Sequence, residues 1–292
     1  MNVAPVYTNP MLAKPQTMSE ITFKELREFI YAKTGIYFQD NKKYLLESRI
    51  SKRLQMLRME KFEAYLDFLK FGVGREDEKK FLFDAITINE TYFFRNEPQF
   101  EILEKTLIPE IVKAKLASGR NKLRIWSAAS SSGEEAHTIA MIFLEKIKPK
   151  YPSLELEVVG TDISPSVVDT ARKGIYREYS VRNMPKYYLE KYFTIGDGRF
   201  TVHDSVRKLV RFDHMNLYDQ PRMRMMTNFD IVFCCNVLIY FDAKSKIQVV
   251  SNLYDALNRG GFLFIGYAES LHGISSAFKV INFPKAITYK KE

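Results

Sequence analysis

Cysteine is almost missing from this chain of 292 residues. Cys234 and Cys235 are the only two and they are adjacent, so they form no disulfide framework, and no ligand partners stand at metal spacing. A buried strand is the setting that suits them. Long apolar runs are also missing: the longest, residues 231–241, carries Asn236 inside it and is too short to span a bilayer. No basic-then-apolar pattern opens the sequence. These absences exclude a disulfide scaffold, a metal centre and membrane insertion, and they place the chain in the cytoplasm. Acidic residues are the scarcer charge, 35 against 44 Lys and Arg, for a formal net charge of +9. That balance suits an acidic partner, whether nucleic acid, membrane surface or carboxylate-rich protein, without choosing among them. With 46% hydrophobic and 27% charged residues, the rest of the composition is that of an ordinary globular protein, and the length is enough for two domains and a sizeable core.

The most informative stretch is residues 123–135. Leu123, Ile125 and Trp126 supply β-prone bulk, after which Ser, Ala and Gly leave no side chain to keep a ligand from the backbone. Ala136, Ile139, Ala140, Ile142, Phe143 and Leu144 then recur near helical spacing, so the turn feeds a helix whose N-terminus points into the same space. This predicts the first βα unit of a Rossmann-like sheet. G-x-G-x-x-G is missing, and Glu134 and Glu135 stand where a pyrophosphate needs bare amides, so a cationic ligand suits the turn better. A βα turn without a ligand is the plainer alternative.

Along the chain, residues 1–18 hold Pro5, Pro10 and Pro15 without periodicity and read as a flexible tail. Residues 19–88 read as a small all-helical domain. Thr22 with Glu25 forms a capping box, Phe23, Leu26, Phe29 and Ile30 form a stripe, and Gly35 stops the helix. A second helix spans 42–58, with Leu46, Ile50, Leu54 and Leu57 apolar and Lys42, Arg49, Lys52 and Arg53 on another face. Glu47 is the only acid in that stretch, which leaves these cations without local partners; they form either a docking face for an acidic partner or an idle solvated surface. Two further helices are expected at 62–69 and 76–86. Residues 88–96 place Tyr92, Phe93 and Phe94 together in a connector, which predicts a segment buried against the domain at 89–292.

In that second domain a strand over 154–162 ends in Asp162, and Ser164-Pro165 caps the next helix, leaving Asp162 free. An acid at this place in such folds hydrogen-bonds ribose hydroxyls, with a solvated aspartate as the alternative. Residues 175–211 break the alternation and predict an inserted β-subdomain with a hairpin about Gly196-Asp197-Gly198. Strands follow at 209–217, 229–235 and 262–267, a helix at 243–258, and a closing hairpin at 278–283 and 286–289. The fold class is α/β: a Rossmann-like S-adenosylmethionine methyltransferase sheet with an all-helical N-terminal domain and an inserted β-subdomain.

The ordered motifs Thr91-Tyr92-Phe93-Phe94-Arg95 after Asn89, the turn 126–135, Asp162-Ile163, Gly174-Ile175-Tyr176, Asn216-Leu217 and the stretch from Asn236 to Asp242 resemble the CheR-type chemotaxis protein-glutamate O-methyltransferases. The resemblance covers nearly the whole chain after Met18. It implies that Asn89, Thr91, Arg95, Glu135, Asp162, Asn216, Leu217 and Asn236 line a pocket for S-adenosylmethionine, leaving S-adenosylhomocysteine as product. Asp162 would take the ribose and Asn216 and Leu217 the adenine. Arg95 and Tyr240 would lie near the transferring methyl, and Arg49, Lys52 and Arg53 would face the cytoplasmic domain of a chemoreceptor. A monomer that binds no nucleic acid and no metal is implied.

The chain departs from the family pattern at Cys235, where an Arg is common, at Tyr267 in place of a His, and at Ala136-His137 in place of Pro-Tyr. Its hairpin is shorter than in members that dock on a receptor's C-terminal peptide, so such docking is not expected. Esterifying a glutamate needs no general base, because a carboxylate with a reference pKa of ~4.3 is already ionised; catalysis reduces to alignment and exclusion of water. The rivals are a nucleic-acid methyltransferase, for which an Asn-Pro-Pro-Tyr motif is lacking at Asn236, and a module that binds S-adenosylmethionine without transferring methyl.

Overall fold

The computed structural model describes residues 17–292, and most of the expected tail lies outside them. Of its last residues, Met18 is buried and its N–H donates to Glu47 Oε2 at 3.3 Å. Contacts divide the chain into two compact units, the first holding residues up to Ile30 with Phe38–Ile86, the second Tyr31–Tyr37 with Thr87–Glu292.

The first unit is helical: α1 (Glu20–Thr34) as far as Ile30, α2 (Lys43–Leu57), α3 (Phe62–Phe71) and α4 (Arg75–Ile86). Phe23, Leu26, Leu46, Ile50, Leu66 and Leu82 fill its core. The capping of α1 differs from the expectation. Ser19, not Thr22, is the cap: its Oγ accepts the Thr22 N–H at 3.0 Å, and Thr22 itself turns to Glu63. A serine three residues upstream satisfies the orphan amide one turn earlier, so the helix starts there.

The second unit carries α5 (Glu97–Ile102) and α6 (Ile108–Ala117), then a seven-stranded sheet. Its strands are β1 (Lys122–Ala128), β2 (Glu155–Asp162), β6 (Val210–His214), β7 (Phe229–Cys234), β8 (Leu257–Ile265), β9 (Phe278–Phe283) and β10 (Ala286–Lys291), in the order β6-β2-β1-β7-β8-β10-β9. The first five run parallel, and β10 pairs antiparallel with β8 and with β9. Strand β7 is buried at every position, as its unbroken apolar run requires of a doubly covered central strand. Strand β8 begins earlier than expected, at Leu257, which pairs with Phe229; a register shift then carries residues 258–261, with Gly260 and Gly261, past β7 before Phe262 pairs with Ile231. Helices α7 (Glu134–Ile142), α8 (Pro165–Lys173), α12 (Gln220–Met223) and α13 (Ala243–Ala256) connect these strands.

The inserted segment holds β3 (Ile175–Tyr176), α9 (Glu178–Val181), α10 (Lys186–Tyr192), β4 (Phe193–Gly196), β5 (Arg199–Val202) and α11 (Asp204–Arg207). Its three strands form a separate small sheet, β3-β5-β4. The tight turn of the β4–β5 hairpin puts Asp197 and Gly198 at positive φ, as the sequence predicts. Among the described residues no helix is long and apolar enough to cross a membrane.

Candidate functional site

The parallel order reverses between β1, which neighbours β2, and the β7 side, and in sheets of this kind ligands bind in the crevice beyond the carboxyl ends of the strands at such a switch point, here those of β1, β2 and β7. The turn from β1 into α7 borders it. Ala129 and Ser131 take positive φ, unusual for residues with a Cβ, and Gly133 follows at +93°. A Cβ on Gly133 would stand 2.7 Å from the Phe212 ring and 2.8 Å from Ala171 Cβ, so only glycine lets the turn lie flat on the helix and strand beneath it. Seven non-glycine residues take positive φ among those described, and four of them, Phe94, Ala129, Ser131 and Asn236, fall in segments expected to hold the ligand. Residues held in such conformations are found more often at ligand sites than in ordinary turns.

Asp162 ends β2 as expected, but it is not idle. Its Oδ2 accepts the Ser131 N–H and its Oδ1 the Ser164 N–H, both at 2.9 Å. The Asp162 carboxylate therefore joins the β1 turn to the β2 turn. Ser131 Oγ in turn donates to the Asn89 carbonyl at 3.0 Å, which ties the connector to the same turn. Thr91 in that connector is half-buried. Phe93 is fully buried, meeting Tyr176 and Phe193 edge-on, and its N–H donates to the Ser180 carbonyl at 2.9 Å. Burial in the connector is thus confined to Phe93; Tyr92 and Phe94 are half-buried and Ile88 and Glu90 are exposed, so the segment is less covered than its aromatics predict.

The two acids at the start of α7 have different surroundings. Glu134 is buried and accepts from Ser132 Oγ and Ser180 Oγ, each at 2.8 Å. Glu135 is half-buried, accepts from Ser127 Oγ at 2.7 Å, and lies in the field of the Arg95 guanidinium. Burial outweighs these partners and pushes the Glu135 carboxyl up to about 7. A cation placed beside it would complete what its environment lacks.

On the far side of the crevice Asn236 takes φ +60° just past β7. Its N–H and that of Gly266 donate to Glu269 Oε2 at 2.9 and 2.6 Å, and the Ile239 N–H donates to Oε1 at 3.2 Å. Glu269 shapes this rim and was missed by the sequence reading. Its signal was the acid at the end of the segment that begins at Gly266, where a Cβ would come within 2.6 Å of Asn236 Oδ1. Asn216 and Leu217 follow β6; the Asn216 amide donates to the Lys33 carbonyl at 2.7 Å, and the Met215 N–H donates to the Asp162 carbonyl at 2.8 Å, so this loop is pinned to the end of β2. Leu217 is buried. Tyr240 is half-buried and its carbonyl accepts the Tyr37 N–H at 3.0 Å.

The departures from the family pattern have structural accounts in two cases. His137 is buried, with Nδ1 paired to the Tyr176 hydroxyl at 2.9 Å, while that hydroxyl donates to the Ser132 carbonyl. Desolvation drops its pKa to about 3, so it is a neutral support under the turn. Cys235 Sγ donates to Gln99 Oε1 at 3.4 Å, and Gln99 Nε2 donates to the Ile265 carbonyl, so the thiol fills a polar niche in the sheet end. Tyr267 is 93% exposed and nothing in the structure explains it. A separate cavity of about 340 Å³ holds none of the expected residues, and its Arg172 and Arg207 already pair with Asp169 and Asp204.

The basic face of α2 needs correction. Arg53 is buried: its Nε and Nη2 donate to Glu78 Oε1 and Oε2 at 2.9 and 2.7 Å, the Tyr65 hydroxyl joins them, and the Phe81 ring covers the guanidinium at 4.5 Å. Its partner lies 25 positions away on α4, where a search limited to one helix cannot see it. Arg49 donates to the Ile86 carbonyl at the end of α4. Of the three, only Lys52 is exposed.

Two family models match the chain, CheR methyltransferase, all-alpha domain, over residues 21–87 and CheR methyltransferase, SAM binding domain, over residues 89–287. The chain is similar to Chemotaxis protein methyltransferase 2 of Vibrio cholerae, at 36% identity over 275 residues that cover 94% of each. It is also 36% identical over 267 residues to a chemotaxis protein methyltransferase of Borreliella burgdorferi, covering 91% of this chain and 92% of that one. Chemotaxis protein methyltransferase 1 of Pseudomonas aeruginosa is 33% identical over 272 residues, covering 92% of this chain and 97% of the relative.

Proposed function

The chain belongs to the CheR methyltransferase family, and from that premise we propose that it transfers the methyl of S-adenosylmethionine to glutamate side-chain carboxylates of chemoreceptor cytoplasmic domains, acting in the cytoplasm as a monomer. The observation that supports this reading most is the match of both family models over residues 21–87 and 89–287, beside a β1–α7 turn whose Ser131 N–H is held by Asp162 and whose Glu135, suited to a cationic ligand, lies in the field of Arg95, suited to an anionic one. When bound, S-adenosylmethionine supplies the electrophilic methyl and a thioether leaving group.

The rest falls to side chains of the chain itself. Asp162 takes the ribose hydroxyls, Asn216 and Leu217 border the adenine, and Asn89, Thr91 and Asn236 complete the wall. Glu135 meets the positive end of the ligand. Arg95 orients the incoming carboxylate, holding one oxygen while the other attacks, and Tyr240 positions rather than deprotonates. Removing the guanidinium takes away the orientation of the substrate carboxylate, so it lowers methyl transfer more than cofactor binding. Lys52 is the residue of α2 left to meet an acidic receptor.

The test is incubation with S-adenosylmethionine carrying a labelled methyl and a receptor cytoplasmic fragment. Label on the receptor that mild alkali releases as methanol supports esterification; alkali-stable label, or label on added RNA or DNA instead, overturns it.

A further inference from the structure

Two guanidinium groups flank one tyrosine ring at the border of this site. Arg182, just past α9, has its guanidinium carbon 3.7 Å from the centroid of Tyr92 and 3.6 Å from that of Tyr179, so both of its faces are covered. On the Tyr92 ring the second cation is Arg95, at 5.8 Å. The two guanidinium carbons therefore lie no further apart than those two distances laid end to end.

Each arginine is anchored the same way. Arg182 Nη1 donates to the Tyr179 carbonyl and Arg95 Nη1 to the Glu90 carbonyl, both at 2.5 Å. Among the described residues no hydrogen bond reaches Nε or Nη2 of either one. That edge is the one a guanidinium uses to hold a carboxylate with two parallel bonds. The nearest acid, Glu90, is 3.9 Å from Arg182 Nη2, beyond hydrogen-bond reach, and its Oε1 already accepts from the Tyr179 hydroxyl at 2.8 Å. Stacking between two rings fixes the plane of the Arg182 fork and lowers the entropy cost of using it. The side chain of Arg182 stays 29% exposed, so its open edge is within reach of a partner.

We propose that Arg182 is a second carboxylate clamp of the substrate site, taking an acidic side chain that flanks the glutamate oriented by Arg95. The inference rests on the methyl-transfer reading above and adds a rule of substrate choice to it: an acid three or four positions from the reacting glutamate, which on a helix is its neighbour on the same face. Arg182 positions the substrate and makes no bond to the reacting atoms.

The test is a double-mutant cycle on the full-length protein and a receptor cytoplasmic fragment. Arg182→Gln is set against replacement by glutamine of the acid flanking a methylated site, with Arg182→Lys as the conservative variant. The proposal expects Arg182→Gln to raise KM for the receptor roughly three- to tenfold, the range that partly exposed charge contacts reach across an interface. Arg182→Lys recovers part of that loss, and the flanking-acid substitution raises KM for the wild type but adds nothing in Arg182→Gln. S-adenosylmethionine affinity, read by calorimetry, stays the same in all variants. If Arg182→Gln leaves the receptor KM unchanged while the wild type esterifies the receptor, the clamp is wrong and the methyl-transfer reading stands. If the two KM effects simply add, Arg182 acts only by holding the connector, and the proposal fails. A wild type that esterifies no receptor glutamate overturns both.

Discussion

At the residue scale, Glu135 gives the site its pH dependence. Burial raises its carboxyl from the ordinary range to about 7. Between those values the folded chain holds a proton that the unfolded chain has released, so this group costs stability increasingly as pH rises through the window, and the cost is complete above about pH 7. A cation bound beside Glu135 favours the ionised form. Cofactor affinity is therefore expected to strengthen as pH rises through the same window, with proton release on binding at its lower end. Calorimetry in two buffers of different ionisation enthalpy reads that release, and Glu135→Gln should abolish it; equal proton counts for both proteins would remove Glu135 from the cofactor's surroundings. Asp162 has two duties, since the amides it accepts belong to two different turns. Asp162→Ala is expected to weaken cofactor binding by roughly 1–3 kcal/mol and to lower stability without ligand by a similar amount, because buried amides lose their acceptor. Denaturant melts with and without S-adenosylmethionine separate the two effects. An unchanged melt without ligand would mean that the turns stand without the carboxylate.

At the element scale, helix α2 shows which charge is structural. Its Arg53 makes two hydrogen bonds to a nearly fully buried Glu78, and removing one partner of such a pair leaves an uncompensated buried charge. Arg53→Met is expected to cost about 3–5 kcal/mol in equilibrium unfolding, whereas Lys52→Glu should leave unfolding unchanged and raise KM for a receptor. A receptor KM unaffected by Lys52→Glu at low salt would make the exposed part of α2 an idle surface. The turn between β1 and α7 depends on one glycine: Gly133→Ala forces a Cβ into the Phe212 ring at a positive φ, and thermal melts together with cofactor titration should show both stability and binding reduced. Helical and alternating spacing predicted these elements well because each pattern is local. The start of α1 was misread because Ser19 and Thr22 both carry a hydroxyl at cap spacing, and only the backbone decides between them. The pairing of Arg53 was illegible for a different reason: its partner is on another helix.

At the scale of the whole molecule, the order of strands and the place of the crevice follow from short connections and right-handed crossovers once five βα-type strands are read from the sequence. The place of Asp162 at the end of β2 was legible from the strand pattern, whereas roles for Glu135 and Arg95 were named only through the family resemblance. Glu269 was not legible, since its three amide partners come from two loops that meet only in the folded chain. The double use of Asp162 was hidden in the same way. The account as a whole claims that these groups together direct a methyl onto a substrate carboxylate. The most direct measurement is mass spectrometry of a receptor cytoplasmic fragment after parallel reactions with wild type and Arg95→Ala in S-adenosylmethionine. The account predicts methyl esters mapped to glutamate side chains with the wild type, and a much smaller yield with an Arg95→Ala protein that still binds cofactor. Methylation confined to residues other than glutamate, or equal yields from the two proteins, would contradict it.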